Sequence, residues 1–375
     1  SGSINYLVQT PGGVLYVVYI DVTLDVSFKK SSDGGLTWGE PTEIYAGSAT
    51  HLSVWYDRWS GINAGLIHCA YAESGTDDVR YRSINTESSD TLGTETTIFA
   101  GASTFALAGY LSITRARGGN IGCAFDIDGG TEDGFRRSTN NGATWDATSA
   151  DPSEGGNNDQ VILLPGWGAD NQDLMMFFWD ASANEISRKL YDDSANSWSE
   201  TSIATSMAEG APSSAQKQWA ATVDLTNSRN LLVAWPLVNN TTTLPCWHIT
   251  ESAITQVTDV VPSANSDQSR CAIAIDTANE HWYVFYGGAE DGSDGGSDFN
   301  KLRYKVSTDS GSTWGPETVF GPTERGRASI TTAPRFTGSP MLLSEVDCAL
   351  GSTLFHGLVL TRSLIQPRAS FHLGI

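Results

Sequence analysis

Residues 31–38 read SSDGGLTW, an octapeptide with the pattern Ser-x-Asp-x-Gly-x-Thr-Trp. The pattern returns at 307–314, and at 138–145 with Asn140 in place of the Asp. A short Asp or Asn side chain accepts hydrogen bonds from the backbone N–H groups that follow it, and glycine supplies the positive φ of a tight turn. Thr and Trp then favour a return to a strand. The three copies therefore predict a repeated β-hairpin connection, which we call the octapeptide loop.

The octapeptide resembles the Asp-box, or bacterial neuraminidase repeat, of the sialidase superfamily of β-propellers. In that family the box joins the third and fourth strands of a blade, at the periphery and away from the mouth where ligands bind. The resemblance implies an all-β propeller of four-stranded antiparallel blades. It also implies that four tryptophans pack peripherally in equivalent places: Trp38, Trp145, Trp198 and Trp314.

The spacing of the copies predicts seven blades. The copies start 107 residues apart (31 to 138) and then 169 apart (138 to 307), which fits two and three blades of roughly 40–60 residues each. Short apolar runs, as expected for strands between neighbouring blades, occur seven times. They are Val14–Ile20, Gly65–Tyr71, Ile121–Phe125, Leu174–Trp179, Asn230–Trp235, His281–Tyr286 and Met341–Val346. An even repeat over residues 1–375 predicts a single propeller domain.

The chain has a net charge of −21, with 43 acidic against 22 basic residues. Such a surface repels nucleic acid and anionic membranes, so we expect neither as a partner. There is no run of 18 apolar residues, so no membrane span is expected. Acidic surfaces are common among secreted and virion proteins, which favours an extracellular or virion-associated location. The sequence carries no signal for an oligomeric state.

The five cysteines have no close pair and no Cys-x-x-Cys spacing, and most lie inside apolar runs. This pattern predicts buried free thiols rather than disulfides or a zinc site. They are Cys69, Cys123, Cys246, Cys271 and Cys348.

The mouth of a propeller is lined by the starts of first strands and the ends of second strands, because adjacent strands are antiparallel. First-strand starts carry Tyr6, His51, Tyr110, Asp159, Gln160, Lys217, Gln218, Arg270, Arg325 and Arg327. Second-strand ends carry Asp21, Glu73, Asp126, Asp128, Asp180, Glu290, Asp291, Glu345 and Asp347, with Trp235 in the fifth blade. The predicted mouth is thus a ring of carboxylates beside two arginine-bearing blades.

Carboxylates that face arginines suit the chemistry of acidic glycans. A pair of carboxylates can act as acid and as nucleophile or base on a glycosidic bond, and the candidates are Asp126, Glu73 and Glu290. Arginine binds the carboxylate of a sialic or uronic acid in a bidentate fork. The candidate substrate-binding residues are Arg270, Arg327, Lys217 and, for stacking on a sugar ring, Trp235. For each acid the alternative is a turn-forming or solvated loop charge.

Two loops rich in Asp and Gly, 126–133 and 290–298, place several oxygens on flexible backbone. Neither has the EF-hand spacing, and such loops are commonly long turns. Calcium is therefore an alternative to a plain turn, with Asp126, Asp128, Asp291 and Asp294 as the candidate ligands, and no cofactor is required.

Three function classes fit these residues, with an oligo- or polysaccharide as the partner in each. The favoured interpretation is a sialidase-like glycoside hydrolase acting at the mouth. True sialidases, however, are six-bladed and begin with an Arg-Ile-Pro motif that this chain lacks, so their catalytic set is not carried over. The second class is a polysaccharide lyase for uronates, since Leu66–Ala72 with Val79–Ser83 resembles a blade of the seven-bladed ulvan lyases. His51, with Tyr110 or Tyr71, would then supply the base and the acid. The third class is a non-catalytic adhesin or virion receptor-binding protein.

Overall fold

The structure, a computed structural model, describes residues 5–56, 65–101, 110–127, 132–150, 152, 160–180, 182–207, 219–236, 243–262, 271–287 and 302–320. Beyond residue 329 it describes the backbone of strands alone. Regular secondary structure in these residues is β-strand, and the strands pair into separate sheets in chain order. The predicted all-β class is confirmed.

The first three sheets, blades 1 to 3, cover residues 5–138. Blade 1 contains β1 (Asn5–Gln9), β2 (Leu15–Ile20), β3 (Val26–Ser31) and β4 (Thr42–Tyr45). Blade 2 contains β5 (Ala49–Tyr56), β6 (Leu66–Glu73), β7 (Val79–Asn85), β8 (Thr91–Leu92) and β9 (Thr96–Phe99). Blade 3 contains β10 (Leu111–Arg115), β11 (Ile121–Ile127) and β12 (Glu132–Ser138).

The next three sheets, blades 4 to 6, cover residues 160–320. Blade 4 contains β13 (Gln160–Pro165), β14 (Leu174–Asp180), β15 (Glu185–Asp192) and β16 (Ser197–Thr205). Blade 5 contains β17 (Trp219–Asp224), β18 (Arg229–Ala234), β19 (Cys246–Ile249) and β20 (Ile254–Gln256). Blade 6 contains β21 (Cys271–Asp276), β22 (His281–Gly287), β23 (Leu302–Ser307) and β24 (Thr318–Phe320).

The remaining strands follow blade 6 in the chain. They are β25 (Ile330–Thr332), β26 (Arg335–Phe336), β27 (Met341–Asp347), β28 (Ser352–Thr361), β29 (Leu364–Pro367) and β30 (Phe371–Leu373). Strand β26 joins blade 6 beside β21, in parallel. The others form a C-terminal sheet in the order β25-β27-β28-β29, with β30 also paired to β28.

The six blades have the antiparallel order expected of a propeller. Blades 1, 4 and 5 are four-stranded meanders, blade 2 pairs both β8 and β9 with β7, and blade 3 has three strands in the described residues. The C-terminal sheet departs from this order because the ten-residue β28 pairs with three strands. The structure therefore shows a propeller with six blades, and the expected count of seven is not confirmed.

The core lies between adjacent blades, because each second strand is covered on both faces. All residues of β2 are buried, as are Leu174–Trp179 of β14, which explains their unbroken apolar sequence. First strands of neighbouring blades are also tied directly. Ser53 accepts a hydrogen bond from the N–H of Ile113 (3.0 Å), and Ser112 accepts one from Leu163 (2.9 Å). Neighbouring blades are therefore held together by hydrogen bonds between their first strands as well as by a shared apolar core.

The three octapeptide loops have the same internal hydrogen bonds. In the first, Asp33 Oδ1 accepts from the N–H of Thr37 at 2.9 Å, and Ser31 Oγ accepts from the N–H of Gly35 at 2.8 Å. The corresponding Asn140–Thr144 and Asp309–Thr313 bonds are 2.9 and 2.8 Å long. These bonds confirm the predicted turn chemistry. The Thr37 hydroxyl, which donates to Asp33 Oδ2 at 2.6 Å, and the Thr37 N–H stabilise the ionised Asp33 and lower its pKa to about 2.

In two of the octapeptide loops the tryptophan also binds the preceding blade. Trp145 of blade 3 donates to Thr96 of blade 2 (3.2 Å), and Trp314 of blade 6 donates to the carbonyl of Thr258 in blade 5 (2.9 Å). The degenerate copy in blade 4 does the same, since Trp198 donates to the carbonyl of Ala150 (2.9 Å). Of the four tryptophans predicted to pack equivalently, Trp145, Trp198 and Trp314 join neighbouring blades, whereas Trp38 packs against Leu7 and Leu15 of its own blade.

Four of the five cysteines fall in described residues, and all four are buried free thiols, as predicted. They are Cys69, Cys123, Cys246 and Cys271, whereas Cys348 lies outside the described residues.

Candidate functional site

The octapeptide loops connect third and fourth strands and so lie at one edge of the ring. Antiparallel pairing places the loops between second and third strands, and the links between blades, at the opposite edge, which we call the connecting edge. The predicted mouth residues belong to this edge. Several of them lie outside the described residues: Asp128, Lys217, Arg270, Glu290, Asp291, Asp294 and Arg327. Asp126 is described by its backbone in β11 alone.

His51, Tyr110 and Trp235 are buried. The exposed fractions of His51 and Tyr110 are 7% and 8%, and His51 Nδ1 lies 3.0 Å from Thr50 Oγ1. Trp235 has no exposed surface and packs edge-on against Tyr286, with ring centroids 6.0 Å apart. Its expected role as a stacking platform for a sugar is corrected, because the indole is fully buried in the apolar cluster between blades 5 and 6.

Glu73 is at the end of β6, where the sequence placed it, but it is bound to other side chains. Arg80 on β7 forms ion pairs with Glu73 (3.1 Å), Asp78 (3.1 Å) and Glu95 (2.9 Å). The hydroxyl of Thr76 also donates to Glu73 Oε2, at 2.9 Å. Since one guanidinium serves three carboxylates, the group carries a net charge of about −2 when all are ionised. Glu73 is thus part of an ionic cluster rather than a free acid.

Two tyrosines complete the Arg80 cluster. Tyr71 donates its hydroxyl to Glu95 Oε2 at 2.7 Å, and its ring stacks on Tyr45 with centroids 4.8 Å apart. Arg80 lies over the ring of Tyr45, 5.9 Å from its centroid. Burial, followed by the hydrogen bond to Glu95, raises the pKa of Tyr71. Burial and the hydrogen bond to Glu73 raise the pKa of Tyr45 to about 12. Both phenols therefore stay protonated at neutral pH and act as hydrogen-bond donors.

Two other carboxylates of the predicted mouth cap their own turns. Asp21 Oδ1 accepts from the N–H groups of Thr23 (2.9 Å) and Asp25 (3.0 Å). Asp180 Oδ1 accepts from Ser182 (2.7 Å) and from the N–H of Ala183 (2.8 Å). For these two acids the turn-forming alternative is the one that the structure supports. Both carboxylates thus serve the turns at the connecting edge of blades 1 and 4.

Each of the nine arginines whose side chain is described donates to a protein acceptor. Four pair with carboxylates: Arg80, Arg137, Arg229 and Arg303. Five donate to backbone carbonyls: Arg82, Arg115, Arg117, Arg136 and Arg188. Each of these guanidinium groups therefore already has a protein partner.

Within the described residues, no three His, Cys, Asp or Glu side chains are grouped so as to hold a metal ion. The same part of the chain has no helix with the length and hydropathy needed to cross a bilayer. The candidate calcium loops fall largely outside the described residues, so calcium binding there stays a prediction.

Sequence reasoning missed Arg80 and Glu95, which organise the best-described part of the connecting edge. A signal was present, because Val79-Arg80-Tyr81 has a counterpart in Leu302-Arg303-Tyr304. The repeat was hidden by the octapeptides, which carry a stronger pattern and lie at the opposite edge.

No family model and no curated protein matches the sequence. Among solved structures, an ulvan lyase from a new family of polysaccharide lyases aligns with a TM-score of 0.56 and 11% identity. That alignment covers 97% of this chain and 93% of the lyase. AofleA from Arthrobotrys oligospora aligns with a TM-score of 0.55 and 9% identity over 100% of this chain and 86% of its own.

The NanB sialidase from Streptococcus pneumoniae aligns with a TM-score of 0.50 and 10% identity, over 77% of this chain and 66% of the sialidase. At these identities the alignments show that this chain shares the β-propeller fold of these proteins.

Proposed function

We propose that the protein is carbohydrate-active and binds an acidic glycan at the connecting edge of its propeller. The observation that carries the proposal is the fold shared with an ulvan lyase over 97% of this chain and with the sialidase NanB over 77%. Both of those proteins are named for action on acidic glycans.

Arg270 and Arg327 are the proposed anion-binding residues. The protein carries a net charge of −21, so an anionic sugar needs a local positive fork to overcome long-range repulsion. The nine described arginines already pair with protein acceptors, so we assign anion binding to arginines elsewhere in the chain. By their position in the sequence, Arg270 and Arg327 enter first strands at the connecting edge, and guanidinium binds a carboxylate in bidentate geometry.

A sialidase-like hydrolase, the activity favoured by the sequence, rests now on Asp126 and Glu290. Its third candidate acid, Glu73, is held by Arg80. A polysaccharide lyase is the second candidate, favoured by the ulvan lyase, which has also been solved bound to a GlcA(1-4)Rha3S repeat. For that activity the proposed base and acid, His51 and Tyr110, must become more exposed than they are here. Action on polysaccharides would agree with an extracellular location.

We also propose that the octapeptides are true Asp-boxes and that the C-terminal sheet closes the ring as a seventh blade. Its strand β25 contacts β21 of blade 6 and β1 of blade 1, which supports this arrangement. The equivalent first strands of other neighbouring blades contact each other in the same way.

The test is a binding and turnover screen with sialyllactose, tetragalacturonate, ulvan oligosaccharides and neutral lactose. We expect an anionic glycan to bind, and Arg327→Ala to weaken binding roughly ten- to a hundredfold because a charge-assisted pair is lost. Arg327→Lys should restore only part of the affinity, since the fork is missing. Arg82→Lys is the control, because Arg82 donates to backbone carbonyls.

Ultraviolet absorbance of an unsaturated uronate would identify a lyase, and release of reducing sugar without it a hydrolase. Binding of lactose alone, with no effect of Arg327, would contradict the proposal.

A further inference from the structure

The Tyr71–Arg80–Glu95 arrangement of blade 2 recurs in blade 6 as Tyr286, Arg303 and Glu317. Tyr286 donates its hydroxyl to Glu317 Oε2 at 2.8 Å, and Arg303 Nε lies 2.9 Å from Glu317 Oε1. The blade 2 distances are 2.7 Å for the tyrosine and 2.9 Å for the arginine. We call each set a Tyr–Arg–Glu triad.

The two triads occupy the same places in their blades. Each tyrosine lies on the second strand directly opposite the arginine on the third, as Tyr71 opposite Arg80 and Tyr286 opposite Arg303. Each glutamate immediately precedes the outer strand that pairs with the arginine, which is β9 in blade 2 and β24 in blade 6. In both cases the second residue of that strand lies opposite the arginine. The match in register shows that the triads are one device used twice.

The propeller fold does not require this device. The place of Arg303, four residues before the octapeptide serine, is taken in blade 1 by Ser27, which lies opposite Tyr19. In blade 3 it is taken by Gly134, which lies opposite Phe125. The ring of Phe125 fills the space that a side chain on Gly134 would need, with a carbon 2.2 Å from the ideal Cβ position. Blades 1 and 3 therefore fold without a triad.

Both triads lie near the ends of second strands, where the loops of the connecting edge begin. In blade 2 the arginine continues into that edge, because Arg80 also binds Glu73 and Asp78 at the two ends of the loop 73–78. Without the guanidinium, three carboxylates would face one another at short range, and their repulsion would open the loop. The guanidinium already pairs with three protein carboxylates, which favours a role in positioning the loop over a role in binding an anion.

We propose that Arg80 is a positioning residue, which holds the connecting edge of blade 2 in the geometry that binds the ligand. The inference rests on the proposed function for its ligand, but its mechanical part can be tested without any glycan. The test uses hydrogen exchange of the loop 73–78 first, and glycan affinity second.

Arg80→Met, Arg80→Lys and Glu95→Gln are compared with Arg82→Met, which alters another arginine of β7. Arg80→Met removes all three ion pairs of Arg80 and should speed amide exchange in 73–78 by about tenfold or more. We expect a smaller increase in Arg80→Lys and in the nearly isosteric Glu95→Gln, which covers the case in which Arg80→Met folds poorly. Arg82→Met should lower the melting temperature without a selective change in this loop.

Exchange in 73–78 that is the same in the Arg80 and Arg82 variants would overturn the proposal. Affinity is then measured for whichever probe the wild type binds: sialyllactose, tetragalacturonate or ulvan oligosaccharides. A tenfold or greater loss in Arg80→Met, partly rescued by Arg80→Lys and absent in Arg82→Met, is the expected result. An unchanged affinity despite faster exchange would overturn the positioning role. If the wild type binds none of the probes, the proposed function fails, and the exchange data decide whether Arg80 holds the loop.

Discussion

Replacing Trp145 with Ala should destabilise the propeller by breaking the junction between blades 2 and 3. The indole N–H donates to Thr96 Oγ1 at 3.2 Å, and the ring meets Tyr81 edge-on with centroids 5.4 Å apart. The side chain is partly buried, so the packing loss is roughly half of the 3–5 kcal/mol typical of a fully buried aromatic residue. The hydrogen bond adds about 1 kcal/mol.

The expected loss is therefore about 3 kcal/mol in the free energy of unfolding. For a chain of 375 residues this corresponds to a decrease of roughly 4 °C in melting temperature, if unfolding is cooperative. Urea denaturation followed by fluorescence and circular dichroism measures the loss directly. Trp145→Phe keeps a ring and loses the N–H, so it should cost clearly less than Trp145→Ala.

Combining Trp145→Phe with Thr96→Val isolates the hydrogen bond between the blades. Both substitutions remove the same bond, so their effects should not add, with a coupling of about 0.5–1.5 kcal/mol. Leu36→Ala is a surface control, because Leu36 is 40% exposed in the first octapeptide loop. Two results would refute the claim that these loops join the blades. One is a loss of unfolding free energy below about 1 kcal/mol for Trp145→Ala, and the other is strict additivity of the effects of Trp145→Phe and Thr96→Val.

Three further predictions concern stability and reactivity. Burial raises the pKa of Asp173 to about 6, so the protonated form is favoured in the fold and stability is lost as pH rises from about 4 through 6. Asp173→Asn should therefore stabilise the protein at pH 8 by about 1 kcal/mol after allowance for solvent screening. The free energy of unfolding of the variant should also change less between pH 4 and 6. A destabilised variant at pH 8 would contradict this. Gly142 has φ +81°, and its ideal Cβ position lies 2.1 Å from the ring of Tyr81. Gly142→Ala should therefore lower the urea midpoint of unfolding. Gly12→Ala is the control and should leave the midpoint unchanged, because no atom lies within 4 Å of the ideal Cβ position of Gly12. Burial raises the thiol pKa of Cys69, Cys123, Cys246 and Cys271. None of these four thiols should react with Ellman's reagent at pH 8 before the protein unfolds. Rapid labelling of any of them in the native protein would refute this.

The sequence was sufficient to predict the fold class and the octapeptide turns, because these depend on local chemistry. The Asp33 and Asp309 carboxylates accept hydrogen bonds from residues four positions later, so the whole motif is visible in eight letters. Second strands were equally visible, since β14 is buried on both faces and shows one uninterrupted apolar run.

The candidate site could not be predicted to the same degree, because partners there are far apart in sequence. Glu73 was placed correctly at a strand end, but its ion pair with Arg80 depends on the pairing of β6 with β7. Trp235 was expected at the surface because it follows a strand, whereas the strands of blade 6 bury it against Tyr286. Position along a strand gives the edge on which a residue lies, but packing between blades decides whether its side chain reaches solvent.

The location of a bound glycan shows whether the ligand binds at the connecting edge, as we propose. Crystals grown with whichever of sialyllactose, tetragalacturonate or ulvan oligosaccharide binds the protein would show where the sugar lies. We expect electron density for the sugar at the connecting edge, on the side of Glu73 and Asp21, with the sugar carboxylate facing Arg270 or Arg327. Density at the octapeptide edge, beside Trp145 or Trp314, would contradict it.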